Sequence, residues 1–85
     1  MDVNPTVHRY RFIELIAYWE GRINTRNLIQ QFGLSRPQCS ADLTAYNQIA
    51  PANLVYDASQ KAYLPTPEFC PVYITDDVNE YLDWL

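Results

Sequence analysis

With 85 residues and a mass of 9.9 kDa, the chain has room for one domain and excludes a second. Its 48% apolar content, with seven Tyr, three Phe and two Trp against 19% charged residues, excludes a disordered chain. The net charge of −4 argues against a nucleic-acid partner only until its distribution is read.

Residues 1–64 hold all six basic residues and five acids, Asp2, Glu14, Glu20, Asp42 and Asp57; residues 65–85 hold five acids and no base. Charges act locally, over a Debye length of about 8–10 Å at physiological salt, so the acidic tail is excluded as a polyanion-facing surface and the first 64 residues are not. A domain this small hides roughly 60–65% of its unfolded surface, which calls for the large area that aromatic residues bring. No apolar run reaches the length of about eighteen that spans a bilayer. The start, Met1-Asp2-Val3-Asn4-Pro5, lacks the basic-then-apolar layout of a secretory signal, so a cytoplasmic location is expected. Cys39 and Cys70, with His8 as the only histidine, are too few for a structural zinc site and make a weak disulfide pair. Cys39 reads as a small buried hydrophobe. No metal and no cofactor is expected.

Asn4-Pro5 reads as a helix cap followed by proline at the first helical position. The spacing predicts a helix over Pro5 to Glu20, stopped by Gly21. One stripe of period 3.6 needs only Phe12, Ile13, Ile16 and Trp19; the surplus at Leu15 and Tyr18 predicts a second covered face, against the C-terminal segment or another subunit. Asn24 can cap a second helix, Thr25 to Phe32, ended by Gly33. Leu34 follows as an apolar plug, and Ser35-Arg36-Pro37-Gln38 opens a third helix with the spacing of a capping box. Cys39, Leu43 and Tyr46 form its inward stripe, and Pro51 fixes its end.

Asn53-Leu54-Val55-Tyr56 and Ala62-Tyr63-Leu64 read as strands of a hairpin around a polar loop, Asp57 to Lys61. Pro65, Pro67 and Pro71 then mark an extended connector, 66–74. Thr75 with Asp76 and Asp77 starts a last amphipathic helix, 75–85, striped by Val78, Tyr81, Leu82 and Leu85 and read as a dimer or interdomain contact. No stop signal accompanies Leu85, which predicts a piece of a longer polypeptide.

Helix, glycine turn, helix, then hairpin is the order of a winged helix-turn-helix: mainly α with a small β-hairpin, over residues 4–65, followed by a C-terminal helix. The face of the third helix opposite its core stripe holds Arg36, Gln38, Ser40, Ala41 and Thr44. Arg36 can donate a bidentate pair to guanine, Gln38 can pair with adenine, and Ala41 can touch a thymine methyl. Arg22, Thr25 and Arg26 at the second helix, Ser35 at the third, and Ser59, Gln60 and Lys61 in the wing are the candidate phosphate contacts. Arg9 and Arg11 read as surface charges. With four to six phosphate contacts per protomer, affinity falls by roughly 0.9 log unit per log unit of salt per contact. Useful affinity then calls for two copies on a two-fold site.

The runs Tyr18-Trp19-Glu20-Gly21-Arg22-Ile23-Asn24, Pro37-Gln38-Cys39-Ser40-Ala41-Asp42-Leu43, Ala50-Pro51-Ala52-Asn53-Leu54-Val55-Tyr56-Asp57 and Lys61-Ala62-Tyr63-Leu64-Pro65-Thr66-Pro67-Glu68-Phe69 carry a more specific likeness. Over about residues 9–70 the chain resembles the N-terminal domain of bacterial WYL-domain transcriptional regulators that control phage-defence operons. The resemblance implies a homodimer that binds inverted-repeat double-stranded DNA and mostly represses. It also implies later domains, absent from this chain, through which any ligand acts. An enzyme is not expected: one His, two Gly and no ligand-spaced cluster leave no catalytic constellation. The alternative is a protein-docking winged helix, for which Arg22, Arg26, Arg36 and Lys61 gathered about one helix have no use.

Overall fold

The computed structural model describes residues 4–84. Asn4 turns its side-chain oxygen onto the N–H groups of Thr6 (2.8 Å) and Val7 (3.3 Å), and α1 runs Pro5–Glu20. Gly21 closes it at φ +85°, and Gly33 closes α2 (Thr25–Phe32) at φ +66°. A side chain in that left-handed region costs roughly 1–2 kcal/mol, so glycine sets both helix ends. Asn24 and Asn27 cap α2 reciprocally, each side chain accepting the other's backbone N–H at 3.2 and 2.9 Å.

Ser35 opens α3 (Arg36–Ile49) by accepting the Gln38 N–H at 3.3 Å. The reciprocal arm of the expected capping box does not form. Gln38 Nε2 donates instead to Asp42 at 3.1 Å, because a carboxylate one turn ahead offers the charge-assisted bond. Cys39, Leu43 and Tyr46 face inward as the spacing predicts, against Ile13, Ala17 and Leu28.

Strands β1 (Leu54–Asp57) and β2 (Ala62–Pro65) pair antiparallel, with Leu54 opposite Pro65 and Tyr56 opposite Tyr63. Each departs from expectation by a residue: β1 starts later, and β2 takes in Pro65 as its last position. The hairpin is tied back to the α1–α2 turn, which nothing in the sequence pattern announces. Ile23 N–H donates to the Tyr63 carbonyl at 2.9 Å, and Tyr63 N–H to the Ile23 carbonyl at 2.8 Å.

The proline-rich connector holds no helix or strand, but it is not simply extended. Phe69 N–H donates to the Thr66 carbonyl at 3.0 Å across a turn at Pro67-Glu68, a bend follows at Val72-Tyr73, and the segment is bolted to the helices rather than free. Glu14, fully buried in α1, accepts the N–H groups of Val72 (2.8 Å), Tyr73 (2.7 Å) and Ile74 (3.1 Å) and the Tyr46 hydroxyl at 2.6 Å. Asn53 donates to the Tyr46 oxygen at 3.0 Å and exchanges two bonds of 2.9 Å with the Cys70 backbone. The second covered face of α1 meets the chain's own connector through Glu14 and through Tyr18, which touches Phe69 and stays 41% exposed, while Leu15 is wholly buried.

Helix α4 (Val78–Leu82) is shorter than predicted and is capped by Asp77, not Thr75. Thr75 donates both its N–H (2.7 Å) and its hydroxyl (2.6 Å) to Glu80. With so short a helix, the 3.6-residue period does not carry the expected stripe to its end. Trp84, which that stripe omits, makes the main contact, with ring centroids 5.2 Å from Phe12 and 4.6 Å from His8. Tyr81 donates its hydroxyl to Glu20 at 2.7 Å. Val78 and Leu82 stay 41% and 50% exposed, and Leu85 lies outside the described residues.

Burial, reinforced by the bond to Glu14, pushes the Tyr46 hydroxyl far above its ordinary value of 10.0, and burial raises Tyr73 as well. An unfolded tyrosine loses its proton near pH 10 while the folded one keeps it. The stabilisation is thus complete below about pH 10 and fades as pH rises beyond it. Urea midpoints are expected to fall between about pH 10 and 11, and Tyr46→Phe to fall less steeply there.

Candidate nucleic-acid interface

Leu34, half-buried between α2 and α3, fixes the angle at which the third helix leaves the core. Burial of Cys39, Asp42, Leu43 and Tyr46 leaves Arg36, Pro37, Gln38, Ser40, Ala41 and Thr44 exposed along its N-terminal half. A helix presenting one face in this way fits a major groove about 12 Å wide.

Arg36, Ser40 and Thr44 line a groove with Asn24 and Thr25 on one side and Tyr56, Lys61 and Tyr63 of the hairpin on the other. It continues between Arg22, Arg26 and Gln60, sharing Arg36 and Lys61. Among the described residues, no carboxylate lines either part. All four cations are exposed, and none enters an ion pair among the described residues, where Arg9–Asp42 is the single pair. The groove therefore carries unneutralised positive charge in a chain whose total is negative, as the partition of charge along the sequence implies.

Local bonds orient the side chains. Arg36 Nη1 donates to Thr25 Oγ1 at 3.0 Å, leaving most of the five guanidinium N–H groups for another partner. Asp57 folds the wing loop by accepting the N–H groups of Ser59 (2.9 Å) and Gln60 (3.1 Å) and the Ser59 hydroxyl at 2.6 Å. The Ser59 hydroxyl leads the bonds that hold the Asp57 carboxyl below the usual carboxylate value. Lys61 ends the loop at φ +53°, the one non-glycine residue in the left-handed region among those described, and that turn brings it to the groove.

Two expected assignments change. Arg9 is not a free surface charge: its Nε lies 2.6 Å from Asp42, with the two side chains only 16% and 5% exposed. The Ser59 hydroxyl proton, expected on a phosphate, goes to Asp57. Gln38 and Ala41 are exposed on α3 but do not line the groove, which gathers Arg36, Ser40 and Thr44 with Thr25, Arg22, Arg26, Gln60 and Lys61. Sequence reasoning missed Tyr56, which is 54% exposed on the groove wall with its ring 5.1 Å from Tyr63. Its usable signal is a large aromatic just before a polar wing loop.

Three helices, the last two joined by a glycine turn and followed by an antiparallel hairpin, make the domain a winged helix-turn-helix. Within that class the chain belongs to the family of the BrxR transcriptional regulator winged helix-turn-helix domain, whose family model matches residues 5–85. It is 47% identical over 77 residues to the DNA-binding transcriptional repressor CapW of Stenotrophomonas maltophilia, a match covering 91% of this chain and 26% of that protein. It is 44% identical over 75 residues to CapW of Escherichia coli and 40% identical over 75 to CapW of Pseudomonas aeruginosa, each match covering 88% of this chain and 25% of the relative. The chain spans about a quarter of the length of the curated relatives it matches.

Proposed function

We propose that this chain reads double-stranded DNA for a bacterial transcriptional repressor, with α3 in the major groove and the hairpin wing on the backbone. The observation that carries the reading is the set of Arg22, Arg26, Arg36 and Lys61 around one groove that no carboxylate lines among the described residues. A protein-docking winged helix has no use for that arrangement. Arg36 is the bidentate guanine reader, Gln38 pairs with adenine, and Ser40, Ala41 and Thr44 complete the base-facing set. Arg22, Thr25, Arg26, Ser35, Gln60 and Lys61 hold phosphates; Ser59 contributes by shaping the wing. Homologues that carry the name of DNA-binding repressors support the same reading.

The protein acts as a cytoplasmic homodimer on an inverted repeat, because one copy makes too few phosphate contacts for useful affinity. Val78 and Leu82, both exposed, belong to the self-association or interdomain face. Control of a phage-defence operon, and a response to ligand through a WYL domain, are what the resemblance adds. No catalytic step and no cofactor belongs to this reading.

Fluorescence anisotropy with a labelled duplex from upstream of its own coding sequence tests the proposal. Affinity is expected to fall steeply between about 50 and 200 mM salt. The Arg22→Ala, Arg26→Ala, Lys61→Ala triple variant should flatten the salt slope by about one unit per residue while melting like the wild type. An unchanged slope would remove the groove from DNA binding.

A further inference from the structure

Gln38 stands on the edge of the exposed face of α3, away from the wing, and its amide is not left to rotate. Its Nε2 donates to Asp42 Oδ1 at 3.1 Å. Asp42 is itself gripped from α1: Arg9 Nε donates to Oδ2 at 2.6 Å and Nη2 to Oδ1 at 3.3 Å. Arg9 is anchored in turn by the Thr6 hydroxyl at 3.4 Å and the Pro5 carbonyl at 3.5 Å. The chain of contacts starts on one helix and ends on a side chain at the DNA-facing edge of another.

A carboxamide turns about a broad, two-fold torsion, so a free glutamine offers oxygen or nitrogen to a base edge with similar ease. An ionised carboxylate accepts and never donates. A half-turn of the Gln38 amide would therefore set its carbonyl oxygen against the Asp42 oxygen, and the polarity is fixed. One N–H serves Asp42; the other N–H and the carbonyl oxygen remain for a partner. That remaining pair matches adenine in the major groove, where N7 accepts and N6 donates.

We propose that the Arg9–Asp42 pair is a specificity device that fixes the polarity of the Gln38 amide and makes it an adenine-selective reader. Arg9 and Asp42 are positioning residues and touch no base. The inference rests on α3 being the helix that enters the major groove.

The test begins with a duplex selected by the wild-type protein from a randomised library, together with all its single-base-pair variants. Gln38→Ala is expected to abolish discrimination at one A·T pair, a loss of roughly tenfold or more. Asp42→Asn, similar in shape and still able to accept from Arg9, should lose several-fold discrimination at that same pair, with other positions and the salt slope unchanged. The double variant should discriminate no worse than Gln38→Ala alone. A uniform loss across all duplexes in Asp42→Asn would make Asp42 merely structural and overturn the proposal. Selection of no sequence by the wild type would instead overturn the DNA-reading function beneath it.

Should Asp42→Asn fail to fold, side-chain amide NMR of the wild type decides. One Gln38 amide proton should exchange slowly beside those of exposed Gln48 and keep its shift when the selected duplex is added, while its partner proton moves. Gln38 and Gln48 amides that behave alike would overturn the proposal.

Discussion

Glu14→Ala lowers the melting temperature by about 15–30 °C, or leaves the domain unfolded at ambient temperature. Four donors converge on this fully buried carboxylate: three consecutive backbone N–H groups of the connector and the Tyr46 hydroxyl of α3. Alanine strands them all, and the two buried donors, the Ile74 N–H and the Tyr46 hydroxyl, cost about 1–3 kcal/mol each without a partner, the half-exposed Val72 and Tyr73 groups less. The costs do not simply add, because the connector can swing out to water, and a total of about 3–5 kcal/mol is the expected outcome. Against a stability of about 5–15 kcal/mol, a domain this small loses much of its margin. Glu14→Gln is only a partial rescue, since its amide nitrogen faces donors where an oxygen accepted. Circular dichroism melts check the result. A change below about 4 °C would mean that the connector is not held by this carboxylate.

Arg36→Ala weakens binding to the selected duplex about 5- to 150-fold, the equivalent of roughly 1–3 kcal/mol for one bidentate base contact. Stability should not change with it: Arg36 is exposed, and among the described residues its side chain bonds only Thr25. Discrimination should relax at a single G·C pair, whereas loss of a phosphate contact weakens all sequences alike. Arg36→Lys should not restore the preference, because a point charge cannot reproduce the planar fork. Anisotropy titrations on duplexes differing at one pair give the measurement. A loss that is equal for every sequence would turn Arg36 into a backbone contact.

The helices were legible because their signals are local. Asn4, Asn24 and Ser35 announce starts, Gly21 and Gly33 announce ends, and neither depends on what packs nearby. The groove was legible through Arg36, Thr25 and Lys61, since the glycine turn and the hairpin loop fix which side chains converge there. Glu14 was not: in sequence it is one more acid on an amphipathic helix, and only the fold supplies its donors some sixty residues away. Arg9 escaped for the same reason, its partner lying on another helix. The Ile23–Tyr63 bridge has no pattern to betray it, being a single pair of residues. In the tail, the period-3.6 stripe singled out Val78 and Leu82 and passed over Trp84. The short α4 leaves the first two exposed and brings the indole onto α1.

The most direct measurement is a backbone amide NMR titration with a duplex from upstream of the coding sequence, at low and moderate salt. The account predicts shifts in residues 35–45 and 57–62, with Thr25 and Arg26 beside them, that weaken as salt rises. No shifts at low salt, with concentration-dependent changes in residues 74–85 instead, would contradict DNA reading by this domain and leave protein docking as its task.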